Sequence, residues 1–111
     1  MINKRQKFLI DINLAIEKLH IHLTGIDSED AYINNVTVRS AVERELEIIG
    51  EAMNNLLNIA PGISITSPRR IISMRNRLIH GYDDIDNRLV LQIVKDHIPL
   101  LKIEVEKLLH E

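Results

Sequence analysis

Along the first twenty-odd positions, apolar residues recur at spacings of three and four: Phe8, Ile12, Ala15, Ile16, Leu19 and Leu23. At 3.6 residues per turn this places one apolar stripe on a helix, predicted from about Asn3 to Leu23 and stopped by Thr24-Gly25. A short second helix is predicted from Asp27 or Ser28 to about Asn34, with Glu29 and Asp30 in the first turn, where negative charge is favourable. The third runs from about Val36 to Asn58 on Val38, Val42, Leu46, Ile49, Met53 and Leu56, and Ala60-Pro61-Gly62 ends it. Gly50 sits in its middle at a cost of up to about 1 kcal/mol relative to alanine, which close approach of another helix would offset.

The polar stretch from Ser64 to Ser67 reads as loop, and Ser67-Pro68 as a helix start, with a capping hydroxyl and proline at the first helical position. The fourth helix then reaches about His80, with Ile71, Ile72, Met74, Leu78 and Ile79 apolar and Gly81 as its stop. A last helix, about Asp86 to Leu109, carries Leu89, Ile93, Ile98, Leu101, Val105 and Leu108. Pro99 interrupts it and predicts a kink or break near Asp96 to Ile98. No strand-like alternation competes. The expected fold is all-α: a four-helix bundle with an additional short helix, in which residues 1–111 form a single domain. Stripes this long on so small a body also suggest a homodimer.

Composition narrows the class. Aromatics are only 3% against 45% apolar residues overall, a mixture suited to helix packing more than to β-sandwiches. The absence of Cys excludes disulfides, thiolate catalysis and Cys-type zinc sites. No apolar run approaches the roughly 18 residues that span a membrane. The basic start, Met1 to Lys7, leads into a periodic helix containing Asp11 and Glu17, unlike a signal peptide. The expected location is cytoplasmic.

The net charge of −2 conceals a segregation. No Asp or Glu occurs between Glu51 and Asp83, a stretch of 31 residues that holds Arg69, Arg70, Arg75, Arg77 and His80. The other 80 residues carry all sixteen Asp and Glu against ten Lys and Arg. A basic segment on an acidic body points to an anion bound at one place, rather than to a general polycation.

Within that segment stand Arg75, Asn76, His80 and Tyr82. The chain has eight Arg and five His, so an Arg followed by a His within a few residues is expected roughly once by chance. Requiring four intervening residues, and a Tyr two after the His, lowers this to about 0.006. The triple is informative; the pair is not.

The run Met74-Arg75-Asn76-Arg77-Leu78-Ile79-His80-Gly81-Tyr82-Asp83-Asp84-Ile85-Asp86 resembles the signature of the HepT-like toxins, within the HEPN superfamily of all-helical nucleic-acid enzymes. Their Arg-x4-His-x-Tyr motif is matched by Arg75, His80 and Tyr82, and the polar residue common after the motif Arg is matched by Asn76. The segments 41–53 and 90–101 also resemble that family. The resemblance implies a metal-independent ribonuclease toxin that works as a dimer, needs no cofactor and has tRNA as its suggested substrate class. It further implies an MntA-like nucleotidyltransferase antitoxin that silences the toxin by AMPylation of the motif tyrosine, here Tyr82.

Metal-free RNA cleavage needs a base for the ribose 2′-OH, an acid for the leaving oxygen and a cation for phosphorane charge. An imidazole, with an ordinary pKa near 6.5, serves as base or acid close to neutral pH, and the guanidinium of Arg75 suits a phosphate. Five residues along a helix separate Arg75 and His80 by about 140° and about 7.5 Å of rise. They can flank a phosphate only if His80 sits at the helix end. Asn76, four residues before His80, shares its face and can orient the imidazole or hold substrate. A dimer would supply the second histidine. Unmodified Tyr82 can stack on a base; once adenylylated it adds bulk and negative charge where RNA phosphate must sit. Arg69, Arg70 and Arg77 are candidates for guiding RNA.

Other constellations are weaker. Glu43, Glu47 and Glu51 recur every four residues, but without a Glu-x-x-His they read as solvated or paired, Arg75 being one available cation, rather than as metal ligands. His20, His22, His97 and His110 read as surface or packing residues. Asp84-Ile85-Asp86 lacks the Gly-Ser loop of a nucleotidyltransferase, and Asp86 reads as an acidic helix start. The competing class is a noncatalytic helical dimer that binds RNA, nucleotide or the nucleotidyltransferase partner.

Overall fold

Polar side chains cap four of the helix starts in the computed structural model, which describes residues 2–80 and 85–111. Asn3 caps α1 (Lys4–His22) through a reciprocal pair: its Oδ1 accepts from Gln6 N at 2.8 Å, and its own N–H donates to Gln6 Oε1 at 3.2 Å. Gly25 follows with φ +83°, a left-handed conformation that turns the chain away from α1. Ser28 caps α2 (Glu29–Ile33), and Asn35 caps α3 (Val36–Ile59), each through its side-chain oxygen. After α4 (Pro68–Ile79), the Asp86 carboxylate accepts from Arg88 N and Leu89 N to open α5 (Asn87–Asp96), and α6 (Ile98–Leu109) completes the fold.

The described residues are thus all-α, with six helices rather than five. The extra one arises where the proline predicted a break. Pro99 has no N–H to continue the ladder and its ring displaces the carbonyl four residues back. The long helix therefore divides at His97, whose N–H closes α5 on Ile93 O at 2.9 Å.

α3 is the central element. It packs against α1 along one side and α4 along another; α6 lies on α1, α5 on α6, and α2 bridges α3 and α5. Of the predicted stripes, Ile12, Ala15, Ile16, Leu19, Val42, Leu46, Ile49, Met53 and Leu56 are buried, as are Ile71, Ile72, Met74 and Leu78. Phe8, Leu23, Val38 and Leu89 lie at the edge of that core, and Ile79 is 48% exposed. Periodicity missed Leu9, Tyr32, Val90, Leu91 and Val94, all buried, because a second neighbour covers more than one stripe of those helices. Tyr32 is fully enclosed with its hydroxyl unpartnered, and burial pushes its pKa up to about 12.

Two polar side chains enter this interior. Glu45 is buried on α3, and its Oε2 meets His22 Nε2 at 3.0 Å, which ties the end of α1 to α3. His22 therefore has a partner that its sequence neighbourhood did not reveal. His97 is buried at the α5/α6 break with Nε2 unpartnered, while His20 and His110 are exposed. Among the described residues no helix is long and apolar enough to cross a membrane.

Candidate functional site

The start of α4 corrects one expectation. Ser67 is its N-cap residue, but its backbone is left-handed, φ 48°, and its hydroxyl makes no capping bond. A side-chain cap needs extended backbone at that residue, and Ser67 does not have it. The preceding residue is instead held from across the fold. Thr66 N donates to Glu104 Oε1 at 3.0 Å, and Thr66 Oγ1 donates to Glu104 Oε2 at 2.9 Å. Pro68 then occupies the first helical position, where its missing N–H is no loss.

From there the pattern divides α4 into two faces. Ile71, Ile72, Met74 and Leu78 turn inward, whereas Arg69, Arg70, Ser73, Asn76, Arg77 and His80 are exposed. The three candidate RNA-guiding arginines thus lie in the first and last turns of the helix. None of them makes an ion pair with a described residue. His80 is the C-cap residue, its N–H bonded to Asn76 O at 3.1 Å, so the imidazole stands at the helix end as the spacing required. The expected stop at Gly81 and the motif residue Tyr82 lie outside the described residues, as do Asp83 and Asp84.

Arg75 is half-buried between the two faces. Its Nε is enclosed without a hydrogen-bond acceptor among the described residues, and its Nη1 donates to Asn76 Oδ1 at 2.9 Å. The Asn76 side chain thus braces the arginine, while its backbone carbonyl meets His80. Beneath Arg75 lies Gly50 of α3. A Cβ added there would overlap Arg75 Cβ and stand 2.8 Å from its Cγ and 3.1 Å from Ile71 O. The helix predicted to approach Gly50 is α4, and the residue that touches it is the motif arginine.

The glutamate row does not join this site. Glu47 lies 3.5 Å from Arg44 on its own helix, and burial raises the Glu43 carboxyl pKa, opposed by Arg39 and aided by Glu47. Among the described residues no three His, Asp or Glu side chains converge as a metal ligand set. The surface grooves along the α1/α3 seam, between α2 and α5, and at the end of α6 contain neither Arg75 nor His80. Asn76 and His80 are exposed on α4, with Arg75 half-buried beside Asn76.

The description "Ribonuclease HepT-like" matches residues 12–108. The chain belongs to the HepT-like ribonuclease family. It is 38% identical over 109 residues to "Probable ribonuclease HepT" of Thermococcus cleftensis, covering 97% of this chain and 98% of that one. It is 39% identical over 100 residues to "Putative RNase MJ1380" of Methanocaldococcus jannaschii, covering 89% and 91%. A further relative, "Putative RNase TTE0752" of Caldanaerobacter subterraneus, is 33% identical over 105 residues, covering 94% and 93%. No solved structure matches the chain. In this HepT-like ribonuclease, sequence placed the candidate arginine, asparagine and histidine on one helix. Sequence could not name Gly50 as the partner of Arg75, although a glycine amid a helical stripe was the available signal.

Proposed function

We propose that this HepT-like ribonuclease is a metal-independent endoribonuclease toxin in which Arg75 and His80 perform the cleavage. The observation that supports the reading is the exposed end of α4. There an arginine braced by Asn76 and a histidine at the helix terminus share a segment free of acidic residues. The ribose 2′-oxygen attacks the adjacent phosphorus while one imidazole takes the 2′-OH proton. The P–O5′ bond breaks, and a second imidazole, in its protonated form, delivers a proton to O5′. The products are a 2′,3′-cyclic phosphate and a 5′-hydroxyl, and the two imidazoles exchange protonation states. The Arg75 guanidinium offsets the charge that gathers on the phosphorane.

Each chain supplies one motif histidine, so the second comes from a second subunit whose His80 faces the same cleft. The exposure of His80 at the helix end supports this reading, because a facing subunit would both complete the acid–base pair and exclude water. Arg69, Arg70 and Arg77 guide the RNA strand, for which tRNA is the favoured class. The partner is an MntA-like nucleotidyltransferase antitoxin in the same cytoplasm. It transfers AMP from ATP to the Tyr82 hydroxyl with release of pyrophosphate, and the added phosphodiester repels RNA from the site.

Total RNA incubated with the purified protein in excess EDTA tests the catalytic reading. Wild-type protein is expected to produce fragments ending in cyclic phosphate, and His80→Ala and Tyr82-adenylylated protein none. Absence of cleavage by wild-type protein would instead support a noncatalytic binding dimer. Mixed dimers with one His80→Ala subunit test the shared cleft: activity should fall to background, and full activity per dimer would refute it.

A further inference from the structure

We infer that Gly50 is a positioning residue for the Arg75 guanidinium, and that its missing side chain dictates which edge of that guanidinium meets the phosphate. The inference rests on the assignment of Arg75 to phosphate binding above. A planar guanidinium can grip a phosphate through its two terminal nitrogens, or sideways through Nε and one terminal nitrogen. Here the stem of Arg75 lies on the bare backbone of α3, where any Cβ at position 50 would overlap Arg75 Cβ. That contact sinks the root of the side chain, and Nε is enclosed without an acceptor. The sideways mode is therefore closed, and the terminal edge is the one presented. Asn76 Oδ1 then holds Nη1 at 2.9 Å and fixes the rotation of that edge.

An interior glycine is intrinsically unfavourable in a helix, and α3 carries this one where the motif helix packs directly against it. The neighbours that a new Cβ meets first are the root atoms Cβ and Cγ of Arg75, with the Ile71 carbonyl behind them. None of these is the free end of a flexible chain, so relief requires α4 itself to move. Such a shift lifts the Arg75 stem off α3 and frees the guanidinium from the seat that fixes it, while the RNA-guiding arginines stay on the exposed face of the same helix. Binding should persist while chemistry suffers.

Gly50→Ala, Arg75→Ala, Arg75→Gly, and Gly50→Ala with Arg75→Gly form the test. Cleavage of a defined RNA is measured for kcat and KM, and melting is followed by circular dichroism. Gly50→Ala should lower kcat by about tenfold to a hundredfold with KM within about twofold, as a small displacement of a catalytic group does. In the Arg75→Gly background the same substitution should cost no further kcat, because the guanidinium and the Cβ that a new side chain would meet are both gone, whereas Arg75→Ala keeps that Cβ. A folded Gly50→Ala protein with wild-type kcat, or a second full loss in the Arg75→Gly background, would overturn the inference. If Gly50→Ala alone fails to fold, the glycine pair decides. Arg75→Gly removes the Cβ and Cγ that the new side chain would meet and leaves only the Ile71 carbonyl at 3.1 Å, so Gly50→Ala added to it should not lower the melting temperature, and renewed collapse there would refute the contact. Full activity of Arg75→Ala would sink the catalytic role of Arg75 instead, an outcome separable from failure at Gly50.

Discussion

The Arg75 Nη1 to Asn76 Oδ1 bond is the smallest unit on which the candidate chemistry depends. Asn76→Ala should lower kcat about tenfold, the worth of one hydrogen bond of about 1.5 kcal/mol to a charged group. Asn76 is exposed, so melting should change by less than about 0.5 kcal/mol in stability. A kinetic assay beside a thermal melt checks both, and unchanged kcat would remove Asn76 from the site. At this scale the sequence was only partly legible. Helical spacing correctly put His80 at the end of α4, since rise and rotation per residue depend on backbone alone. It also put Asn76 on His80's face, but the side chain turns to Arg75, its neighbour in sequence. Likewise Glu47 chose Arg44, and Ser67 caps nothing with its hydroxyl. Side-chain partners depend on rotamers and on local backbone, neither of which a periodic pattern contains.

Helix boundaries were the most legible feature, because caps and prolines are local signals. Asn35 and Asp86 bond the first free amides of their helices, and the break near Pro99 falls where the missing amide requires. What local signals omit is the environment of the break. His97 is 5% exposed there. Burial lowers its pKa first, the positive charge of Arg70 lowers it further, and Glu104 of α6 opposes both. A histidine whose folded pKa lies below its unfolded value binds more protons when unfolded. Its contribution is therefore complete above about pH 6.5 and is lost as pH falls through the lowered folded value. Glu43, with a raised pKa, acts in the opposite sense in the carboxylate range. The melting temperature should thus fall as pH drops below about 6.5, and His97→Gln should flatten that slope. Thermal melts across pH 5 to 8 check this, with an identical slope in the variant counting against it. Glu104 also holds Thr66, so α6 sets both the break and the start of α4.

For the whole molecule, the separation of charge has a measurable consequence. RNA binding to catalytically silent His80→Ala protein should weaken with salt, and replacing Arg69, Arg70 and Arg77 together by alanine should reduce the log–log slope by roughly 2. Filter binding across salt concentrations measures this; an unchanged slope would take the RNA off this face. The acid-free stretch, the helical class, the helix limits and the arginine–histidine spacing were determined by sequence alone, because each depends on composition or on the geometry of one helix. The resemblance of the Arg75–Tyr82 segment to the HepT-like family was legible there too, and the family match over residues 12–108 bears it out. Tertiary structure decided which residues from distant segments meet: Glu45 with His22, Glu104 with Thr66, and Gly50 with Arg75. Those contacts arise from the angle and depth at which packed helices cross, set jointly by every side chain between them. Periodicity along one helix cannot supply that angle or depth, and it is the crossing at Gly50 that seats the motif arginine.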